Sequence, residues 1–188
     1  MTSLYDESVK YWNSAIFTPS NASHVDLDKY LNILREKYCN GTVDYQVFDI
    51  IAYESPEFER VRLFEYLAKM RLWNNKTIIN RFNEYKITGG IDLNKSFDDM
   101  HGYELPGYLA SILQHGGAYS SVVSDMINYY NGLAAALALC DNDLNSRYII
   151  KSHVAWSSYF SDVAWDNTLA VYSHRENKLC IIMATDTD

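Results

Sequence analysis

Apolar residues recur at three- and four-residue intervals through positions 1–140, the period of helices with one buried face. Ser3 can cap a first helix to about Phe17 on Tyr5, Val9, Trp12 and Ile16, and Thr18-Pro19-Ser20-Asn21 breaks it. A second starts at Ser23 or Asp26, aligns Leu27, Tyr30, Leu31, Leu34 and Tyr38 on one stripe, and stops at Asn40-Gly41. Segment 44–53 fits helix or strand, because Val47, Ile50 and Ile51 share a helical face while its β-branched and aromatic residues also suit a strand; helix is preferred. Ser55-Pro56-Glu57 is a strong helix start, and the helix to about Trp73 is apolar most of the way round, as a central buried helix would be. Further helices are predicted over 76–86, from Leu105-Pro106 to Gly116-Gly117, and from about Ser120 on Val122, Val123, Met126, Ile127, Tyr130, Leu133 and Leu137. Segment 89–100 reads as the long loop.

After Asp141-Asn142-Asp143 the texture becomes aromatic and β-branched. Tyr148-Ile149-Ile150 reads as a strand, 156–160 is ambiguous, and 168–172 and 179–184 flank a polar connection of hairpin length. Cys180-Ile181-Ile182-Met183-Ala184 lacks alternation, which predicts a strand covered on both faces. The pattern therefore predicts an α+β fold: a body of six or seven helices over 1–140, with a C-terminal antiparallel hairpin or small sheet over 145–188 sharing its core. No repeat or low-complexity linker divides the chain, so one domain over 1–188 is expected.

With 48% hydrophobic and 21% charged residues the chain has the composition of a folded globule. No apolar run nears the roughly 18 to 20 residues of a membrane helix, and the acidic start Asp6-Glu7 does not resemble an export signal. A cytoplasmic protein is expected. Cys39, Cys140 and Cys180 are odd in number and widely spaced, which predicts reduced thiols and no zinc ribbon. Net charge of −8 opposes nucleic-acid binding and favours a basic protein partner.

Familiar chemistry is sparse. There is no His-x-x-x-His pair, no Gly-x-Ser-x-Gly elbow, and neither of the glycine-rich turns that cradle nucleotide phosphates. No cofactor is therefore expected. Asp98-Asp99-Met100-His101 with Glu104 is the densest ligand-capable cluster and the candidate for a small Asp/His hydrolase, against a simpler reading as a capping loop. Asp141-x-Asp143-x-Asn145 opens like a calcium loop, but Ser146 stands where glycine is needed and Ser152 where glutamate is needed, so a turn is expected. His115-Gly116-Gly117 reads as a helix stop. The segment from Glu104-Leu105-Pro106 to Gly116-Gly117 resembles a Leu-Pro-started, Gly-Gly-stopped helix of one family of toxin-immunity proteins; capping alone produces the same punctuation, and no family is assigned on it.

One compositional signal remains, 16 tyrosines and 4 tryptophans, with several rings beside acids in the last third. Such rings either pack a sheet or anchor a partner. The expected function is a non-enzymatic protein-binding module, possibly an immunity protein that neutralises a toxin, with Trp156, Asp162, Trp165 and Asp166 as the contact face; the alternatives are the hydrolase and a structural subunit of a larger assembly.

Overall fold

The computed structural model describes residues 14–51, 72–118, 124–173 and 175–187. Its centre is an antiparallel sheet of six strands: β1 (Ile16–Ser20), β2 (Thr42–Ile51), β3 (Asp98–Met100), β4 (Arg147–Ser152), β5 (Asn167–Ser173) and β6 (Lys178–Thr185), in the order β1-β2-β6-β5-β4-β3. Five helices accompany it among the described residues: α1 (Val25–Lys37), α2 (Lys76–Arg81), α3 (Leu93–Ser96), α4 (Leu105–His115) and α5 (Asp125–Leu139). No helix among them is long and apolar enough to cross a membrane.

This architecture overturns the expected helical body with a small hairpin. The hairpin is present, but β5 and β6 are the two middle strands of a six-stranded sheet rather than an appendage. The main correction is segment 44–53, preferred above as a helix. Residues 42–51 are instead a strand paired with β6 from Thr42↔Thr185 to Asp49↔Lys178. Its apolar residues satisfy both periods; pairing decides, because the exposed edge of β6 offers backbone partners that a helix would leave unused. At the first predicted helix, Ile16 and Phe17 belong to β1, and positions 1–13 lie outside the described residues, as does 55–71 of the central helix. The expected loop at 89–100 contains α3 and β3.

Side chains of the strands alternate between two cores. Val43, Val47, Ile149, Leu169, Val171, Cys180 and Ile182 meet α1, α4 and α5 through Tyr30, Leu34, Leu109, Leu113 and Ala136. Phe48, Ile50, Ile150, Ala170, Tyr172, Leu179 and Ile181 meet Trp73, Ile78, Phe82, Tyr85, Phe97 and Trp156, contributed by α2 and by long connections. Because the two middle strands are covered on both sides, β5 and β6 lack the alternation of a half-exposed sheet, and nearly all their residues are buried.

The helix layer depends on small residues where α4 crosses α5. A Cβ on Gly132 would stand 2.6 Å from Ala110 N and 2.7 Å from Pro106 O, both backbone atoms. The buried stripe of α5 accordingly runs through Asn128, Gly132, Ala135 and Ala136. On the other face Trp156 is the hub. Its ring centroid lies 4.7 Å from Trp73, 5.1 Å from Tyr85, 5.5 Å from Phe97 and 5.7 Å from Phe160, and its Nε1–H donates to Thr168 Oγ1 at 2.8 Å.

Two outcomes follow for stability. Trp156→Ala should cost about 3–5 kcal/mol in urea denaturation, because a fully buried indole leaves a cavity and strands the Thr168 hydroxyl; a loss below 1 kcal/mol would contradict the hub. Gly132→Ala should cost about 1–3 kcal/mol in the same measurement, since its methyl meets backbone that cannot rotate away.

Candidate functional site

The four residues expected to form a contact face do not share one. Trp156 is sealed in the aromatic core. Asp166 is also buried, and its carboxylate accepts from Val163 N–H at 3.0 Å and from the Thr185 hydroxyl at 2.6 Å, so it fixes a loop to β6. Asp162 is exposed at a left-handed turn with φ 59°, and Trp165 is partly buried on the wall of a small cavity. Neither Trp156 nor Asp166 presents a side chain to a partner.

The Asp/His cluster does not converge either. Asp98 and Asp99 lie exposed on the edge strand β3, where consecutive residues face opposite sides, and Met100 turns into the core. His101 precedes a 3-10 turn over Gly102–Glu104, with its N–H donating to Glu104 Oε2 at 3.3 Å. At the calcium-like run, Asp141 and Asn142 take positive φ, and Asp143 accepts from Asn145 N–H at 3.1 Å and from Arg175 at 3.0 Å. It is a turn. No group of three or more His, Cys, Asp or Glu among the described residues could hold a metal ion.

Two features remain that the sequence reading did not assemble. The first is the outer face of the α4–α5 pair. Met126, Tyr129 and Tyr130 lie at three- and four-residue spacing away from the buried small-residue stripe, with Ile127 three residues before Tyr130 at the far edge, and all four are exposed, Tyr130 to 60%. The periodicity assigned Met126, Ile127 and Tyr130 to the core, whereas close helix approach takes the small residues inside and turns the bulky ones out. Beside them runs an apolar groove of about 420 Å³ between the helices, lined by Gly107, Ala110, Ser111, Gln114, Met126 and Tyr129. Between Lys95 and Arg147 the chain carries no lysine or arginine, yet it carries Asp98, Asp99, Glu104, Asp125, Asp141 and Asp143. That gap in cations is legible from sequence and leaves the helix pair without lysine or arginine, with Asp125 the one carboxylate on the two helices.

The second feature is a cavity of about 90 Å³ where the end of α4 meets the connection between β4 and β5. Tyr38, His115, Gly116, His153, Trp165 and Asn167 line it, residues too scattered in sequence to show any spacing. Asn167 organises the wall: its Nδ2 donates to Tyr38 Oη at 3.0 Å and to the Trp165 carbonyl at 2.8 Å, while Tyr108 O–H reaches its Oδ1 at 3.4 Å. His115 Nδ1 lies 2.7 Å from the Ser111 carbonyl, which requires a proton on Nδ1. Gly116, with φ 60°, ends α4 by donating its N–H to Ile112 O at 3.0 Å, the helix stop expected of it. Ser111 lines both groove and cavity, so the two adjoin across α4.

Burial pushes the Tyr38 phenol up, the Asn167 hydrogen bond is the next largest effect and opposes it, and Asp186 and Asp166 add smaller upward contributions; the phenol stays protonated throughout the neutral range. Burial, with Lys151 next in effect, holds His153 below the ordinary imidazole value of 6.5. The cavity is lined by polar groups, with Tyr38 deep in the wall and His115 and His153 at the solvent side.

Comparison with protein-family models, with curated proteins and with solved structures finds no match, so the geometry alone carries the functional argument.

The partial desolvation of His153, an exposed residue at the solvent side of the cavity, is measurable. An NMR titration should give its imidazole a midpoint below 6.5, and a midpoint at or above that value would contradict the geometry. In sign, the unfolded chain takes up this proton at higher pH than the folded one. The stability tied to neutral His153 is thus complete above the unfolded value and falls as pH drops through it.

Proposed function

We propose that this chain is a non-enzymatic protein-binding module that captures a basic partner, such as a toxin, on the outer face of α4 and α5, which carries no lysine or arginine. The observation that carries the reading is Met126, Ile127, Tyr129 and Tyr130 standing exposed in the stretch of chain that has no lysine or arginine. Exposed aromatic and aliphatic groups in one patch supply anchors that gain from leaving water. The net charge of −8 favours a cationic surface and speeds its approach by long-range attraction. A second copy of the chain fits less well, because it would bring the same negative charge to the same face. On this reading the protein works in the cytoplasm, where its three free cysteines stay reduced.

The competing reading, an Asp/His hydrolase at Asp98, Asp99 and His101, has weaker support, since those side chains lie exposed along an edge strand and its exit rather than in a cleft. A permanent structural subunit would use the same patch and differ in lifetime of contact.

Affinity capture from the source cells, with wild type and Ile127→Asp/Tyr130→Asp side by side, tests the proposal once the retained protein is purified and recombined with each. A basic partner should bind wild type and lose at least about tenfold with the double variant, and its affinity should fall as salt rises from 50 to about 500 mM. Equal binding by the two forms, an acidic partner, or substrate turnover by the purified chain would overturn it.

A further inference from the structure

The groove between α4 and α5 has small side chains along one side and large ones along the other. Gly107, Ala110, Ser111 and Gln114 recur at i, i+3, i+4 and i+7, so they follow one face of α4 for two turns, about 10 Å. Met126 and Tyr129 line the facing side from α5. Gly107 is the telling position. Gly41, Gly102, Gly117 and Gly132 each stand where a Cβ would collide with another part of the chain, whereas a Cβ on Gly107 would meet no described atom within 4 Å. Its φ is not in the left-handed region either, and glycine is a poor helix former because it has the most backbone freedom to lose. Packing among the described residues thus gives no reason for glycine at 107. What glycine does provide there is a bare stretch of backbone that a second body can approach closely.

The polar side chains along the groove are bonded within the chain. Gln114 Oε1 accepts from Asn128 Nδ2 at 2.5 Å, Asn128 is itself 2% exposed, and the Ser111 hydroxyl donates to the Tyr108 carbonyl at 2.8 Å. An extended segment laid here would bury N–H and C=O groups against a wall with few partners for them, whereas a helix bonds its own backbone. Small residues also allow the close approach, roughly 8–10 Å between axes, at which helices pack. From this arrangement we infer that the groove receives an amphipathic helix of the partner, with large apolar residues at i, i+3 or i+4, and i+7 laid over Gly107, Ala110 and Ser111, and with lysine or arginine on its flanks. The inference rests on the docking reading above and names the element that occupies that face. The sign of the flanking charge follows from the same surface. Neither α4 nor α5 carries a lysine or arginine, the chain has a net charge of −8, and Asp125, which lines the groove, makes no ion pair among the described residues.

The test uses a capped peptide of about 15 residues with leucines at i, i+3, i+4 and i+7 and lysines elsewhere, its counterpart with glutamates for lysines, and the lysine peptide with a central proline. Each is titrated calorimetrically against the full chain while the Gly107 amide and the Ala110 methyl are followed by NMR. The lysine peptide should bind saturably, at least about tenfold tighter than the other two, and shift both signals. Gly107→Gln should hold or raise the melting temperature, since its side chain enters open space on a helix, yet weaken the lysine peptide at least about tenfold. Gly89→Gln, at an open glycine that does not line the groove, should leave that affinity unchanged. No saturation, equal binding of the glutamate or proline peptide, a lowered melting temperature or undiminished affinity in Gly107→Gln would overturn the helix site, as would a dimer of the chain that Gly107→Gln dissociates. If the peptides behave as expected but Gly107→Gln leaves the purified partner's affinity intact, the partner-helix assignment is overturned while the docking face stands. If they do and no partner depends on Ile127 and Tyr130, the docking proposal fails while the groove's preference for a cationic helix stands.

Discussion

The structure depends on a single constraint: the hairpin of β5 and β6 is apolar on both faces, so it must be covered twice. Water on either side would leave Ala170, Tyr172, Ile181 and Met183, or Val171, Cys180 and Ile182, exposed together, at a cost of about 25 cal/mol per Å² of apolar surface. Strands β2 and β4 extend the hairpin on both sides, and two different layers close its faces. One is made of regular helices. The other, among the described residues, is largely irregular chain held by aromatic rings, with Trp156 at its centre.

The two layers solve packing differently, and the difference sets what each exposes. On the helix side α4 and α5 come so close at Gly132 that bulky residues cannot lie between them, and Met126, Ile127, Tyr129 and Tyr130 are left outside. On the other side the covering chain has few ladder hydrogen bonds, so indole and phenol groups join it to the sheet through bonds such as Trp156 Nε1–H to Thr168 and Tyr85 O–H to the Trp73 carbonyl at 2.8 Å. Rings are therefore plentiful for two unrelated reasons. Those of the loop layer are structural, and those of α5 are available for contact.

Buried carboxylates complete the frame at the C-terminal end. Asp166 and Asp186 each bind a loop to the end of β6. Neither carboxylate lines the cavity, and anchoring of the loops is the role their hydrogen bonds show.

Local pattern in the sequence sufficed for α1, with its stripe of Leu27, Tyr30, Leu31 and Leu34, for the glycine stop after His115, and for the hairpin covered on both faces, because each follows from neighbouring residues. It could not decide 42–51, whose residues satisfy helical and strand periods alike until the edge of β6 supplies hydrogen-bond partners. Nor could it sort the rings: Trp156 and Trp165 look equivalent along the chain, yet one is the hub of a core and the other lines a cavity. The absence of cations between Lys95 and Arg147 was written in the sequence, but only helix packing shows that apolar residues stand exposed within it. Tyr38, His115, His153 and Asn167 meet solely through long-range contacts. Short-range propensity is a property of the chain, whereas burial and convergence are properties of the packed whole.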